Sequence, residues 1–194
     1  MPIQPSRRLI NVEEYYSMAE AGILTDKDRV ELIHGEILEM SPIGSRHASV
    51  VMRMNNVLSE LIKKDAIVNI QNPIRINDLN EPEPDITLLK YQNDYYADHH
   101  PQPKDVRIVI EVSDSTYAYD KEIKLPLYAS ARLPEYWIIN LEKSEIEVYK
   151  TPSGNRYKKM EIFYYDDEIR IDFCSRLIKV KSLIGTNDRS SNGK

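Results

Sequence analysis

Residues 108–113 read Ile-Val-Ile-Glu-Val-Ser, an apolar run that contains a single acid, Glu111. β-Branched residues at this density are typical of a buried strand. A buried carboxylate without a partner costs several kcal/mol unless a metal ion, a cation or a proton neutralises it. The pattern therefore indicates a functional acid. The alternative is that Glu111 lies at the sheet edge and pairs with a surface lysine.

Two further charged groups are expected to meet Glu111. Asp85 ends a polar, proline-rich loop and begins the apolar run at residues 86–89, which predicts a second strand with Asp85 at its end. A helix predicted over roughly residues 120–131 carries Lys124. Pro126 lies inside that helix and predicts a kink or a late start, because proline removes a backbone hydrogen bond.

Composition excludes several classes of protein. The 194 residues are 41% hydrophobic and 29% charged, which suits one domain, predicted over residues 1–184, with a disordered tail at 185–194. The single Cys174 cannot form an intramolecular disulfide. With neither an apolar signal segment nor a run of about 18 apolar residues, we expect a cytoplasmic protein without a membrane partner. A net charge of -5 means that any DNA contact must be local.

The first third of the chain predicts a short helix and a hairpin. Asn11 and Glu14 have the spacing of a capping box, and the helix that they start ends near Gly22. Two short strands at residues 29–33 and 36–40 are separated by two residues, the spacing of a tight hairpin. On this pattern, Glu31 is a solvated acid on the open face of the hairpin.

The next segments predict a helix and further strands. Apolar residues recur at three- and four-residue spacing from Ser45 to Lys64, which predicts a helix that covers the sheet. His47 in its first turn is expected to be a solvated or capping residue, with a role in the site as the alternative. Short apolar runs then predict strands at the following positions: residues 66–70, 73–76, 135–140, 145–150, 156–163 and 168–173. The C-terminal half is predicted to be mainly antiparallel.

A long surface loop is predicted at residues 91–105, where no periodicity occurs. It contains His99 and His100. Neighbouring histidines do not face the same way, and no third ligand stands at metal spacing. We expect solvated histidines there and no zinc site.

Seven short motifs occur in order: residues 30–37, residues 40–42, His47, residues 84–85, residues 110–116, Asp120 followed by Lys124, and residues 134–139. Together they resemble the Uma family of putative restriction endonucleases, over roughly residues 11–149. That family belongs to the PD-(D/E)xK nuclease superfamily. The resemblance implies an α/β (α+β) fold with a restriction-endonuclease-like mixed central sheet flanked by helices, to which the sequence adds an antiparallel C-terminal part.

The resemblance implies a metal-dependent endonuclease that hydrolyses DNA phosphodiester bonds. Asp85 and Glu111 would hold Mg²⁺ or Mn²⁺, and Glu31 would be a further acid. The superfamily lysine position is Ser113 here, and Lys124 matches the family's relocated lysine. A cation held by carboxylates suits this reaction because it neutralises phosphoryl charge and activates water. Crowded carboxylates repel one another, so at least one should titrate high.

Other functions stay open. A catalytically idle relative would keep the fold and bind nucleic acid or a protein partner, and the same residues also suit another metal-assisted hydrolysis. The resemblance also implies a homodimer, which would supply two sites for a duplex. Basic residues are candidates for phosphate contacts, with solvation as the alternative for each: Arg46, Arg53, Lys63, Lys64, Lys121 and Arg132.

Overall fold

The structure, a computed structural model, describes residues 6–25 and 27–185. The helices of this part are α1 (Val12–Glu20), α2 (Ser45–Ile62), α3 (Tyr117–Tyr119), α4 (Leu125–Ser130) and α5 (Val180–Ile184), with a π-helical turn (Asp120–Lys124) between α3 and α4. Its strands are β1 (Val30–Ile33), β2 (Glu36–Glu39), β3 (Ile67–Ile70), β4 (Ile86–Leu89), β5 (Val106–Ser113), β6 (Glu135–Asn140), β7 (Glu145–Ser153), β8 (Arg156–Phe163), β9 (Glu168–Ile171) and β10 (Arg176–Lys179).

A mixed sheet organises these elements. Within the described residues, six strands form it in the order β3-β4-β5-β6-β7-β8, while β1-β2 and β9-β10 form separate antiparallel pairs. β5 and β6 are parallel, and the other neighbours in the sheet are antiparallel. The predicted fold class, including the antiparallel C-terminal part, is confirmed.

The parallel pair explains where the helix of Lys124 lies. Two parallel neighbours need a crossover connection, usually helical, which lies against one face of the sheet. Here α3, the π-helical turn and α4 make that crossover between β5 and β6. The sequence directly after Glu111 is therefore brought back over the strand that carries it.

Both faces of the sheet are covered. On one face, Ile110 and Val112 of β5 join a cluster with α2, α5 and the β9-β10 pair. On the other face, Val109 of β5 joins a cluster with Tyr128 of α4 and Ile33 of β1. Because side chains alternate along a strand, Glu111 points to the second face.

Locally encoded features of the prediction are confirmed. Asn11 caps α1 and makes the reciprocal capping-box bonds with Glu14. The β1-β2 hairpin turns at His34 and Gly35, both with positive φ. A Cβ on Gly35 would lie 2.7 Å from Leu9 Cβ, so the close approach of the two segments adds to the need for glycine.

One predicted strand is wrong. Residues 73–76 are extended but join no sheet, because their N–H groups bond to separate loop segments. Ile74 N–H donates to Pro82 O, and Arg75 N–H donates to Pro101 O. Residues 176–179 and 180–184 form β10 and α5, which were not predicted and which fold against the first cluster.

The π-helical turn accommodates Pro126. The helical crossover begins at Tyr117, three residues before the predicted start, and the Leu125 N–H donates to Asp120 O five residues back. Pro126 then lies in the first turn of α4, where its missing N–H costs little. π-Turns of this kind often occur at functional sites.

Two expectations concern the ends of the chain. The expectation of no signal segment depends partly on residues 1–5, which lie outside the described residues. The predicted tail at residues 185–194 also lies outside them, apart from Gly185. Among the described helices, none is both long and apolar enough to cross a membrane.

Candidate active site

A cleft of about 560 Å³ opens where β5, the first turn of α2, the β1-β2 hairpin and the π-helical turn meet. All four residues that the sequence analysis assigned to the site line it: Glu31, Asp85, Glu111 and Lys124. They come from parts of the chain up to 93 positions apart, and the crossover brings them together.

Asp85 directly precedes β4, where the pairing of Ile86 with Ile110 brings it beside Glu111. Its N–H donates to Glu111 Oε2 at 3.3 Å, and its Oδ2 accepts the Val112 N–H at 2.9 Å. Burial alone would raise the pKa of Asp85, but its interactions with His47 and with the Val112 N–H lower it. Asp85 is therefore an ionised carboxylate at neutral pH.

Glu111 is 3% exposed and is bonded on both oxygens. Its Oε1 accepts from Lys124 Nζ at 3.0 Å and from the Tyr128 hydroxyl at 2.8 Å. Burial raises the pKa of Glu111 to about 8, against the opposing charge of Lys124, and neighbouring acids, including Asp85, contribute to the rise. The direction agrees with the expectation that one of the crowded carboxylates titrates high, but burial, and not repulsion between carboxylates, is its largest cause.

Lys124 lies between two acids. Its Nζ is 3.0 Å from Glu111 Oε1 and 3.4 Å from Glu31 Oε2, and the side chain is 6% exposed. Burial alone would lower the pKa of Lys124, but the carboxylates of Glu111, Glu31 and Asp120 raise it well above its ordinary value. Lys124 is therefore an ammonium group inside the cleft.

Ser113 occupies the superfamily lysine position and serves a different purpose. Its hydroxyl donates to Asp120 Oδ2 at 2.7 Å, and the Thr116 hydroxyl donates to the same oxygen at 2.8 Å. Burial raises the pKa of Asp120. This group ties the end of β5 to the turn that carries Lys124.

The expectation that Glu31 is solvated is wrong. Glu31 is 2% exposed, and its oxygens accept from the Tyr119 hydroxyl at 3.0 Å and the Glu83 N–H at 3.1 Å. The crossover helix covers the hairpin face that was expected to be open. The sequence contained an indication of this burial: Glu31 lies on the same face of β1 as the apolar Ile33, which is also buried.

The expectation that His47 is solvated or caps the helix is also wrong. Its side chain is 15% exposed, and Nε2 lies 2.9 Å from Asp85 Oδ2. Nδ1 is buried and has no partner in the described part of the chain. The signal was its spacing: Val50 and Met54 follow at three and seven residues, which puts His47 on the buried face of α2.

Gln71 and Arg29, which line the cleft, and the buried Tyr128, which bonds Glu111, were not singled out from the sequence. Gln71 Nε2 donates to Asp85 Oδ1 at 3.3 Å, and Arg29 Nη1 donates to Ser41 O at 3.0 Å. Tyr128, which bonds Glu111, follows Lys124 by four residues and so shares its helix face. No local feature of the sequence indicates that Gln71 or Arg29 lies in the cleft.

The basic residues proposed for phosphate contacts do not line this cleft. Lys121 instead lies 2.5 Å from the buried Glu147 and 3.2 Å from the Tyr117 hydroxyl. Arg46 and Arg53 line a neighbouring pocket. The cations that do line the cleft are Arg29 and Lys124.

The donor set suits a hard divalent cation. Mg²⁺ prefers oxygen ligands and is usually held by one or two carboxylates, waters and substrate phosphates. Asp85 and Glu111 offer two carboxyl groups in an open cleft. In the described residues, no group of three or more His, Cys, Asp or Glu side chains is arranged to hold a metal ion. The residues therefore fit a cation that binds these two groups and completes its coordination shell with water molecules and a substrate phosphate.

The fold is shared with a known crystal structure. The chain resembles a putative nuclease belonging to DUF820 from Anabaena variabilis ATCC 29413, with a TM-score of 0.67 and 14% sequence identity. The likeness covers 90% of this chain and 97% of that chain. At this identity, the comparison shows that the two chains share a fold.

The sequence then gives the family. The model of the Uma2 family, described as putative restriction endonuclease, matches residues 12–176. The chain belongs to the Uma2 family, as its motifs predicted. No curated protein matches the chain.

Proposed function

We propose that this Uma2 protein is a metal-dependent endonuclease of the PD-(D/E)xK type that hydrolyses phosphodiester bonds in DNA. One observation carries the proposal: Asp85 and Glu111 line the same cleft, and Lys124 Nζ lies 3.0 Å from Glu111. Burying two acids and a lysine together is costly unless the arrangement has a use. The family assignment favours phosphodiester hydrolysis as that use.

Asp85 and Glu111 would hold Mg²⁺ or Mn²⁺ in this proposal. When bound, the cation supplies charge neutralisation at the phosphoryl oxygens and a lower pKa for the attacking water. Asp85 is already ionised, whereas Glu111 must release its proton before it can act as a ligand. His47 and the Val112 N–H both contact Oδ2 of Asp85 and so hold its carboxylate in position.

Lys124 has an electrostatic role in the reaction. Hydrolysis forms a bond between the water oxygen and phosphorus and breaks the bond to the leaving alkoxide. Because Lys124 carries a proton and a full charge, it is unsuited to remove the proton of the water. It can stabilise negative charge on the phosphoryl group or orient the water. Glu31 holds the ammonium group in place from the other side.

The first experiment separates metal binding from catalysis. We expect the protein to cut a generic DNA duplex only with Mg²⁺ or Mn²⁺, and either ion to raise the Tm. Asp85→Asn and Glu111→Gln should abolish both effects. Lys124→Met should keep the Tm shift and reduce cleavage by about 100-fold or more, because transition-state stabilisation alone is lost.

A matched control and the alternatives complete this design. Lys158→Met removes a lysine from the exposed strand β8 and should cut at the wild-type rate. Cleavage by Lys124→Met or Asp85→Asn at the wild-type rate would show that the roles are wrongly assigned. DNA binding without cleavage under any divalent cation would favour the idle, nucleic-acid-binding relative.

A homodimer and a cytoplasmic location belong to the same proposal. One cleft holds one set of residues and cuts one strand, so two copies would supply two sites for a duplex. Light scattering should give twice the mass of one chain, and a monomer at working concentration would count against the dimer. A reducing cytoplasm suits Cys174, which is free.

A further inference from the structure

A second pocket lies beside the cleft, on α2. It has a volume of about 140 Å³, and Arg46, Ser49 and Arg53 line it together with Leu141 and Gly185. The three polar residues that α2 contributes are three and four positions apart, so they share one face of the helix, and Ser144 also lines the pocket. Two guanidinium groups and a hydroxyl therefore face one small space.

Arg46 connects this pocket to the cleft. Its Nη1 lies 3.5 Å from Asp114 Oδ1, and its Nη2 donates to Leu141 O. Asp114 lines the cleft that contains Asp85 and Glu111, whereas Leu141 lines the second pocket. A nucleic-acid strand bound across the cleft would therefore pass next to this pocket.

The position of Arg53 depends on a glycine. A Cβ on Gly185 would lie 2.8 Å from Arg53 Nε and 2.9 Å from Arg53 Cζ, and Gly185 has φ +77°. The backbone here leaves room for the guanidinium. In the part of the chain that the structure describes, Arg53 has no hydrogen bond or ion pair.

The chemistry of the pocket selects a phosphate group. Guanidinium forks and hydroxyls are the side chains that most often contact nucleic-acid phosphates. The chain has a net charge of -5 and its cleft is rich in acids, so a polyanion needs cationic groups at specific places. Arg53 is an exposed arginine with an unused charge at such a place.

We propose that the Arg46–Ser49–Arg53 pocket binds a phosphodiester group of the nucleic-acid strand that enters the cleft, next to the phosphate that is cut. The inference rests on the proposed function and adds a binding site to it. Arg53 supplies the charge, Ser49 a hydroxyl donor, and Arg46 keeps the pocket aligned with the cleft through Asp114.

Salt dependence of binding tests this site. A labelled DNA duplex is titrated with the Glu111→Gln protein in EDTA, so that no cleavage occurs, and the affinity is measured over a range of salt. Each phosphate neutralised contributes about -0.9 to the slope of log K against log salt. Arg53→Gln in this background should reduce the slope by about 0.9, whereas Arg53→Lys should retain it. Arg156→Gln removes the same charge from β8, outside both cavities, and should also retain it.

The outcomes separate the pocket from the proposed function, because cleavage by the wild-type protein is measured first. If the wild-type protein cuts DNA and the Arg53→Gln slope equals that of the Arg156→Gln control, the pocket assignment is overturned and the nuclease proposal stands. Inorganic phosphate provides a further arm. A phosphate-induced rise in Tm that Arg53→Gln removes, with an unchanged duplex slope, indicates a free-anion site and also overturns the assignment.

Discussion

At the scale of single residues, Asp85 and Glu111 are neighbouring carboxylates whose pKa values move in opposite directions. Asp85 accepts the Val112 N–H and faces His47, and its pKa is lowered. Glu111 is fully enclosed, and its pKa is raised to about 8. Asp85 is therefore charged at neutral pH, whereas Glu111 becomes charged when a bound cation displaces its proton.

A pH dependence of stability follows from Glu111. Between its ordinary pKa of 4.5 and about 8, the folded protein keeps a proton that the unfolded chain has lost. The free energy of unfolding of the metal-free protein should therefore fall as pH rises through this window. Because each pH unit of this window corresponds to about 1.4 kcal/mol, we expect a fall of at most about 5 kcal/mol from this residue.

Urea denaturation in EDTA at a series of pH values measures this effect. Glu111→Gln keeps the shape of the side chain and cannot ionise, so its stability should fall less over the same window. The difference between the two curves isolates Glu111 from other buried acids with raised pKa, such as Asp120 and Glu135. Parallel curves would mean that Glu111 is ionised in the folded protein throughout.

The sequence supported Glu111 more directly than it supported Glu31 or His47. An acid inside an apolar run is a local signal, and burial follows from the strand itself. Glu31 and His47 are buried by contacts with Tyr119 and Asp85, which are distant in sequence. Their shared faces with apolar neighbours indicated burial, but not what they would meet.

At the scale of elements, a second ion pair fixes the crossover helix to the sheet. Lys121 on the π-helical turn lies 2.5 Å from Glu147 of β7, and the hydroxyls of Tyr117 and Tyr149 donate to the same carboxylate. Glu147 is 2% exposed. Lys124 is three residues from Lys121, so this contact helps to set the position of Lys124.

Lys121→Met should destabilise the protein. It leaves the buried Glu147 with tyrosine hydroxyls but no cation, and we expect a loss of about 2 kcal/mol, less than for a fully buried pair because Lys121 is one-third exposed. Urea denaturation measures the loss. The double variant Lys121→Met/Glu147→Gln should recover part of it, since the unpaired charge is gone.

An exposed lysine provides the matched control for this measurement. Lys143 is 61% exposed and lies 3.6 Å from Glu145 at the start of β7. Lys143→Met should change the free energy of unfolding by less than about 0.5 kcal/mol. Equal effects of Lys121→Met and Lys143→Met would show that the Lys121–Glu147 contact does not hold the helix.

Elements with local signals were predictable, and those set by tertiary contacts were not. The capping box of α1 and the turn of the β1-β2 hairpin depend on a few adjacent residues, and both were predicted. The π-helical turn places Pro126 in the first turn of α4, so the chain can still cross over β5 as a helix. The sequence does not reveal this turn. Residues 73–76 have no strand partner because two separate loop segments, at residues 80–82 and at Pro101, accept their hydrogen bonds.

At the scale of the whole molecule, topology brings the site together. The crossover between the parallel strands β5 and β6 returns the chain over Glu111, and the hairpin and α2 close the cleft from the sides. The family motifs gave the residues and the sheet type, whereas the strand order and the neighbouring arginine pocket required the structure. The proposed function requires that Asp85 and Glu111 together hold a divalent cation beside Lys124.

A crystal structure of the protein soaked with Mn²⁺ tests this claim most directly, because Mn²⁺ gives an anomalous signal at its position. We predict a peak in the cleft within about 2.1 Å of oxygens of both Asp85 and Glu111, with Lys124 still near Glu111 and no peak in crystals of Asp85→Asn soaked in the same way. A Mn²⁺ peak that contacts neither carboxylate, or a cleft without a peak at saturating Mn²⁺, would contradict the account.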